Sequence, residues 1–196
     1  MDHDETPGQT IGPFFSYGLT PEQYGFSTAS LAGPNLTDEE TQGERIRLEG
    51  CVFDGAGAPV TDAMIEIWQA DGEGRYAHPA DSRASNANFT GFGRTGTGTD
   101  DKARFWFNTI KPGAPTAGEA PHINVVIFMR GLIKQTYTRI YFADEAKANA
   151  LDPVLTLVPK DRRQTLLAHR ADGPTGPIYR FDIHMQGGEE TVFFQL

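Results

Sequence analysis

The chain has 196 residues, of which 22 are Gly and 13 Pro, together about 18% against a usual total near 12%. With 38% hydrophobic and 11% aromatic residues it is too apolar for a disordered chain and predicts one loop-rich domain with a sizeable core. A net charge of −9 with no separate basic cluster excludes nucleic acid and anionic membrane as natural partners.

Residues 1–44 are polar and turn-rich and predict an irregular N-terminal arm, with Pro7, Gly12, Pro13 and Pro34 breaking every helix except a short one near Pro21–Tyr24. From Arg45 the pattern alternates, Ile46 and Leu48 against Arg45, Arg47 and Glu49, and stops at Asp54-Gly55-Ala56-Gly57, which predicts a half-buried strand and a tight turn. Further strands are predicted over Thr61–Gln69, Arg104–Thr109, Ile123–Met129, Thr136–Phe142, Ile178–Met185 and Thr191–Phe194. Only Asp144–Leu151 has the composition of a helix. The Gly-rich stretch Ala84–Asp101 lacks both GK[ST] and a following helix, so it reads as a strand-connecting loop and not a phosphate cradle. Short strands without alternating helices predict an all-β fold, a single β-sandwich of mainly antiparallel strands over 45–196 with one short helix. The longest wholly apolar run, Val125–Met129, is far below the ~20 residues of a membrane helix, and MDHDETPGQT has no apolar leader. A soluble, cytoplasmic protein is expected. The single Cys51 cannot form an internal disulfide and is expected to be a buried, inert thiol.

Side chains able to do metal or acid–base chemistry are few. There is no HExxH and no paired Cys. His3 lies in the arm, and His184 alternates with Asp182 and Gln186 and is expected to face solvent. His122 opens an apolar strand after the Pro/Gly loop Lys111–Pro121, a place where scaffolds present functional groups, although a hydrogen-bonded edge histidine is the commoner occupant. Tyr76 follows the turn Asp71-Gly72-Glu73-Gly74-Arg75, and the residues alone leave it open between a packed ring and a functional phenol. Arg130 ends an apolar strand, either as a solvated terminus or as half of an interface pair.

Several motifs in order carry a resemblance. EIWQADGEGRYAH (66–78), GFGRT (91–95), TIKPG (109–113), PHINVVIF (121–128), YRFDI (179–183) and GEETVFF (188–194) resemble the intradiol ring-cleavage dioxygenases across residues 45–196. The arm ETPGQTIGPFF (5–15) and the strand VVIFMRG (125–131) are similar to the iron-free α-type subunit of a heteromeric member. The resemblance implies a non-haem Fe(III) held, in iron-binding chains, by tyrosines of GxY and KPGPY and two histidines of HxH. Here Tyr76 and His122 match, but Pro115 and Asn124 stand at the other two positions, and Glu119 stands in the region where an arginine usually precedes HxH. These four positions therefore read as a vestigial site, with no metal and no catalytic residue on this chain. The implied holoenzyme carries Fe(III) on a homologous iron-binding β subunit in a higher-order αβ heteromer. It cleaves protocatechuate with O2 to 3-carboxy-cis,cis-muconate, a step of the β-ketoadipate route. Thr10, Gly12 and Pro13 are then implied to line the partner's substrate pocket, and Arg130 to reach the same interface, where a guanidinium can pair with a carboxylate. Phe14, Phe15 and Tyr17 are the expected anchors of an interface on the order of 2,000 Å² or more. Two other readings are a β-sandwich binding or scaffold module that has lost its chemistry, and a self-sufficient metalloenzyme using Tyr76, His122 and a further ligand such as His78.

Overall fold

The computed structural model describes residues 8–12, 14–84, 86 and 88–195; His3 and Pro13 lie outside these. The strands are β1 (Arg45–Phe53), β2 (Met64–Gln69), β3 (Phe92–Gly96), β4 (Arg104–Ile110), β5 (His122–Phe128), β6 (Thr136–Phe142), β7 (Leu167–Gly173), β8 (Gly176–Arg180) and β9 (Ile183–His184). They run in the order β3-β2-β5-β6-β7-β8-β1-β4, with β9 added to β1. Most neighbours are antiparallel; β6–β7, β1–β8 and β1–β9 are parallel. The β6–β7 join is only two residue pairs long, Tyr141↔Leu167 and Phe142↔Ala168. It is the seam between an antiparallel half β3-β2-β5-β6 and a mixed half β7-β8-β1-β4, so the path folds over into an all-β sandwich.

Alternation decides which side chains meet between the halves. Ile65 and Ile67 of β2, Val125 and Ile127 of β5, Leu48 of β1, and Phe105 and Phe107 of β4 fill one buried core. A smaller cluster of Tyr141, Leu155, Val158 and Leu166 lies beneath residues 143–166. Glu49 is buried on β1 because Arg47 (3.1 Å), Arg180 (3.6 Å) and Arg104 (3.9 Å) surround its carboxylate. Gln69 is fully buried at the end of β2, where its Nε2 donates to Ile110 O at 2.8 Å and its Oε1 accepts from Thr109 at 2.8 Å.

Several local expectations change. The Gly-rich stretch is not wholly a loop, since Phe92–Gly96 is the edge strand β3. Strand β7 is an addition, whereas 191–194 forms only the isolated bridge Phe194↔Tyr137. Ile178–Met185 is divided between β8 and β9, where the chain passes from one segment of β1 to the next. The helix expected over 144–151 is one turn, α2 (Ala146–Asn149), after a 3-10 turn at Ala143–Glu145. A second one-turn helix, α1 (Phe15–Leu19), precedes the short helix expected at Pro21–Tyr24, which is a 3-10 turn. His184 does not simply face solvent but stacks on Phe53 with ring centroids 5.0 Å apart. Cys51 is half-buried, not buried, and desolvation pushes its thiol above its usual range. No helix among the described residues is long and apolar enough to cross a membrane.

The N-terminal segment is stitched to β3 and β4. Gln23 accepts from Gly96 N at 2.8 Å and donates to Gly96 O at 2.7 Å, and Leu36 enters the core beside Asn108, to whose carbonyl its N–H donates at 2.9 Å. The glycine of β3 makes room for it: a Cβ on Gly93 would lie 2.5 Å from Leu36 Cδ1 and 3.1 Å from Phe107 Cδ1. Gly93→Ala should therefore cost about 1–3 kcal/mol by overpacking. Combined with Leu36→Ala, which opens the same space, the losses should be less than additive when denaturation midpoints of the two single variants and the double variant are compared.

Candidate functional site

Tyr76 is presented by a turn built on one carboxylate. Buried Asp71 accepts from the backbone N–H groups of Glu73 and Arg75, both at 2.9 Å, and of Asn86 at 3.2 Å, and from Arg75 Nε at 3.0 Å. Burial works against the charge, but those donors outweigh it and hold the carboxyl below its ordinary value. The loop after β4 crosses directly over this turn. Gly113 N donates to Asp71 O at 2.8 Å, and Gly74, at φ +79°, passes so close that a Cβ would lie 1.9 Å from Ala114 O. This crossing sets Pro115 beside Tyr76.

His122 and Asn124 stand on β5, which pairs with β2 on one side and β6 on the other. Fully buried Asp152 pins the entry to β5 by accepting from Ala120 N at 2.8 Å and from the Tyr141 hydroxyl at 3.1 Å. The imidazole Nδ1 of His122 is 2.9 Å from Ala120 O, so it carries the proton. Burial depresses the imidazole pKa and keeps the ring neutral near pH 7. Asn124 donates through Nδ2 to Trp68 O and to the Tyr76 hydroxyl, both at 3.1 Å, and its Oδ1 accepts from the Tyr137 hydroxyl. Arg139, opposite Asn124 on β6, donates from Nε to Tyr137 Oη at 3.3 Å. Desolvation raises the pKa of the Tyr76 phenol.

Tyr76, Pro115, His122 and Asn124 thus line one cavity of about 680 Å³, together with Trp68 and Arg139. The structure brings together all four positions singled out in the sequence. Tyr137 and Arg139 were not among them; their signal is the outward face of the alternating strand TYTRI, which only the β5–β6 register places behind Asn124. The residues do not fit a ferric ion. Pro115 has no side-chain donor, Asn124 is engaged as a hydrogen-bond hub, and Tyr76 is a protonated phenol already accepting from that amide. His122 is the one imidazole of the set, and among the described residues no three His, Cys, Asp or Glu converge as a metal-binding group. His78 does not supplement it: its Nδ1 accepts from Ala80 N at 3.1 Å. The self-sufficient metalloenzyme reading is corrected on this donor chemistry.

The remaining singled-out residues lie apart from the cavity. Arg130 follows β5 and pairs with Asp62 while remaining 61% exposed. Next to it, Gly131 N donates to Thr10 Oγ1 at 3.0 Å, and Gly12 O accepts from Phe15 N at 3.1 Å. Thr10 and Arg130 are therefore neighbours. Phe15 packs on Phe128 and Tyr17 on Tyr24, while Phe14 is 73% exposed.

Comparisons with known proteins agree with this architecture. A family model described as dioxygenase matches residues 20–187. The chain is 53% identical over 193 residues to the protocatechuate 3,4-dioxygenase alpha chain of Burkholderia cepacia, covering 98% of both. It is 34% identical over 164 residues to the beta chain from the same organism, covering 78% of this chain and 68% of that one. Among solved structures, the dioxygenase domain of a carbohydrate-binding fusion from Streptomyces sp. SirexAA-E superposes with a TM-score of 0.59 at 25% identity, covering 96% of this chain and 100% of that one. The chain belongs to the intradiol ring-cleavage dioxygenase family.

Asp71 gives the site's acid sensitivity a sign. A carboxyl whose folded pKa lies below its unfolded value of 3.8 contributes stability above that pH and loses it as pH falls through the folded value. Asp71→Asn should cost about 1–3 kcal/mol at pH 7 and flatten the fall in urea midpoint of the native chain below pH 4.

Proposed function

We propose that this chain is the iron-free α subunit of a protocatechuate 3,4-dioxygenase. The observation that carries the reading is the combination of 53% identity to an alpha chain over nearly the whole length with a ligand set in which Pro115 and Asn124 replace two donors. A related β chain holds the ferric ion, and ring cleavage of protocatechuate with O2 to 3-carboxy-cis,cis-muconate takes place there. The four positions around the cavity are a vestigial site. This chain contributes the assembly and one wall of the partner's substrate pocket.

In that wall Thr10 and Gly12 stand at the partner's pocket with Arg130 beside them, and Pro13 joins them on the sequence alone, while the arm from Gln23 to Leu36 stays on its own sheet. Support comes from the contact between Thr10 and Gly131, which fixes the arm next to Arg130, and from Phe14, which stays 73% exposed although its ring lies 5.5 Å from that of Tyr17. Arg130, held by Asp62 in this chain, turns its remaining donors toward a carboxylate on the substrate or the partner. The proposed location is the cytoplasm, where a lone thiol such as Cys51 stays reduced.

Expressed alone, the full chain should bind no stoichiometric iron, show no phenolate-to-Fe(III) absorption band and cleave no ring. Co-expressed with a β chain carrying intact KPGPY and HxH motifs, it should form a complex that consumes protocatechuate. Full activity or an iron band from the single chain overturns the division of labour. In the assembled enzyme Arg130→Ala should lower kcat/KM for protocatechuate about ten- to hundredfold, the loss of a charge-assisted hydrogen bond worth about 1.5–3 kcal/mol. Catechol, with no carboxylate, should lose much less; equal losses would point to damaged assembly instead.

A further inference from the structure

Arg130 and Asp62 meet because the β2–β5 ladder is prolonged past its last pair. That pair is Met64↔Phe128, and Asp62 and Arg130 lie two residues beyond it on their own strands, so alternation turns both side chains to the outward face that also carries Trp68 and Asn124. Among the described residues Asp62 is the one acid paired with Arg130, and Arg130 the one cation paired with Asp62. The acid is the fixed member, its side chain 21% exposed against 61% for the arginine. Fully buried Thr97 pins its turn from beneath: the Thr97 N–H donates to Ala63 O at 2.9 Å, and the hydroxyl donates to Val60 O at 2.7 Å and accepts from Ala63 N at 3.2 Å.

The contact has a direction. Asp62 Oδ2 accepts from Arg130 Nε, on the flank of the guanidinium. Gripped there, the group keeps its far edge, Nη1 and Nη2, and neither nitrogen makes a hydrogen bond among the described residues. Next in the chain, Gly131 N donates to Thr10 Oγ1 at 3.0 Å and holds the backbone at the base of the arginine. Two parallel donors on one edge match the two oxygens of a carboxylate. A loose arginine loses rotamer freedom on reaching such a group, whereas one already held by Asp62 has little left to lose. Charge acts the other way, because a carboxylate that approaches Arg130 is also repelled by Asp62. The two effects differ in sign, so variants at 62 separate them.

We infer that Asp62 is a positioning residue that sets the selectivity for carboxylate-bearing aromatic substrates, by holding Arg130 so that Nη1 and Nη2 face the ring carboxylate. Asp62 touches no substrate and acts through Arg130 alone. The inference rests on the reading that places Arg130 at the partner's pocket, and it adds the residue that orients the guanidinium there.

The probes are 4-hydroxybenzoate and phenol, which differ by the carboxylate and, with a single hydroxyl, present no ortho-diol to cleave. Isothermal titration of the assembled αβ enzyme gives the selectivity, Kd for phenol over Kd for 4-hydroxybenzoate, a ratio that general damage to fold or assembly does not move. Asp62→Ala should lower this ratio about three- to tenfold. Asp62→Asn keeps an acceptor oxygen for Nε and removes the opposing charge, so it should hold the ratio at or above that of the unaltered enzyme. Arg130→Lys should lower the ratio as far as Arg130→Ala does, because an ammonium gripped by Asp62 has no second edge to offer. A ratio that rises in Asp62→Ala reduces Asp62 to an opposing charge, and an unchanged ratio reduces it to a structural group; either result overturns the inference. So does a loss in Asp62→Asn as large as in Asp62→Ala, or selectivity kept by Arg130→Lys. Arg130→Ala separates the two levels. An unchanged ratio there overturns the reading of Arg130 and this inference with it, whereas a loss there without one in Asp62→Ala overturns this inference alone.

Discussion

The amide of Gln69 is the point on which the two halves of the sandwich depend. A strand that ends inside a core ordinarily ends on an apolar side chain. β2 instead ends on a fully buried glutamine that bonds Thr109 and Ile110 of β4, in the other half, while its backbone N–H takes the Gly91 carbonyl at 3.0 Å. An unpaired amide there would lose about 1–3 kcal/mol for each stranded group, so the sheets cannot slide past one another without exposing that loss. Two residues later the chain reaches Asp71, and the turn that carries Tyr76 inherits its position from this fixed point.

Around the cavity, hydrogen bonds impose the order that coordination to an ion imposes in other sites. Asn124 uses both amide hydrogens and its oxygen, and those three bonds tie together β2, β5, β6 and the Tyr76 turn. A satisfied polar hub of this kind specifies one arrangement, because any rearrangement leaves several groups unpaired at once. Placing an imidazole at 124 would remove the two-donor amide and break its bonds to Trp68 O and the Tyr76 hydroxyl, leaving Tyr137 with Arg139 as its partner. A lost ligand set is thus not recovered by a single substitution.

Strands whose apolar residues alternate strongly were legible from the residues alone. Arg104–Ile110, His122–Phe128 and Thr136–Phe142 fall within a residue of the expected bounds, because each buries a clean row such as Phe105 and Phe107 or Ile123, Val125 and Ile127. β3 was hidden because Gly93 is selected by the close approach of Leu36, a distant residue, so it reads locally as a turn former. β7 was hidden because LAHRADG buries only Ala168. The cavity was legible to the extent that four positions recur in motifs. Tyr137 and Arg139 enter through cross-strand register, which no local pattern carries. The helix expected over 144–151 shrinks to one turn since Asp144 and Glu145 are drawn away by Lys111, at 3.0 and 2.6 Å.

The placement of β1 between antiparallel β4 and parallel β8 has a consequence for the nascent chain. Arg45–Phe53 emerges from the ribosome early, yet its second edge is covered only by residues 176–184, more than a hundred positions later. During that interval the antiparallel half, β2, β3, β5 and β6, has all its strands and can close on itself, whereas β1 and β4 present an open ladder edge. Synthesis therefore passes through a half-built sandwich whose completion waits on residues 176–184, and removal of that segment should behave as a failure of the whole domain and not of one edge.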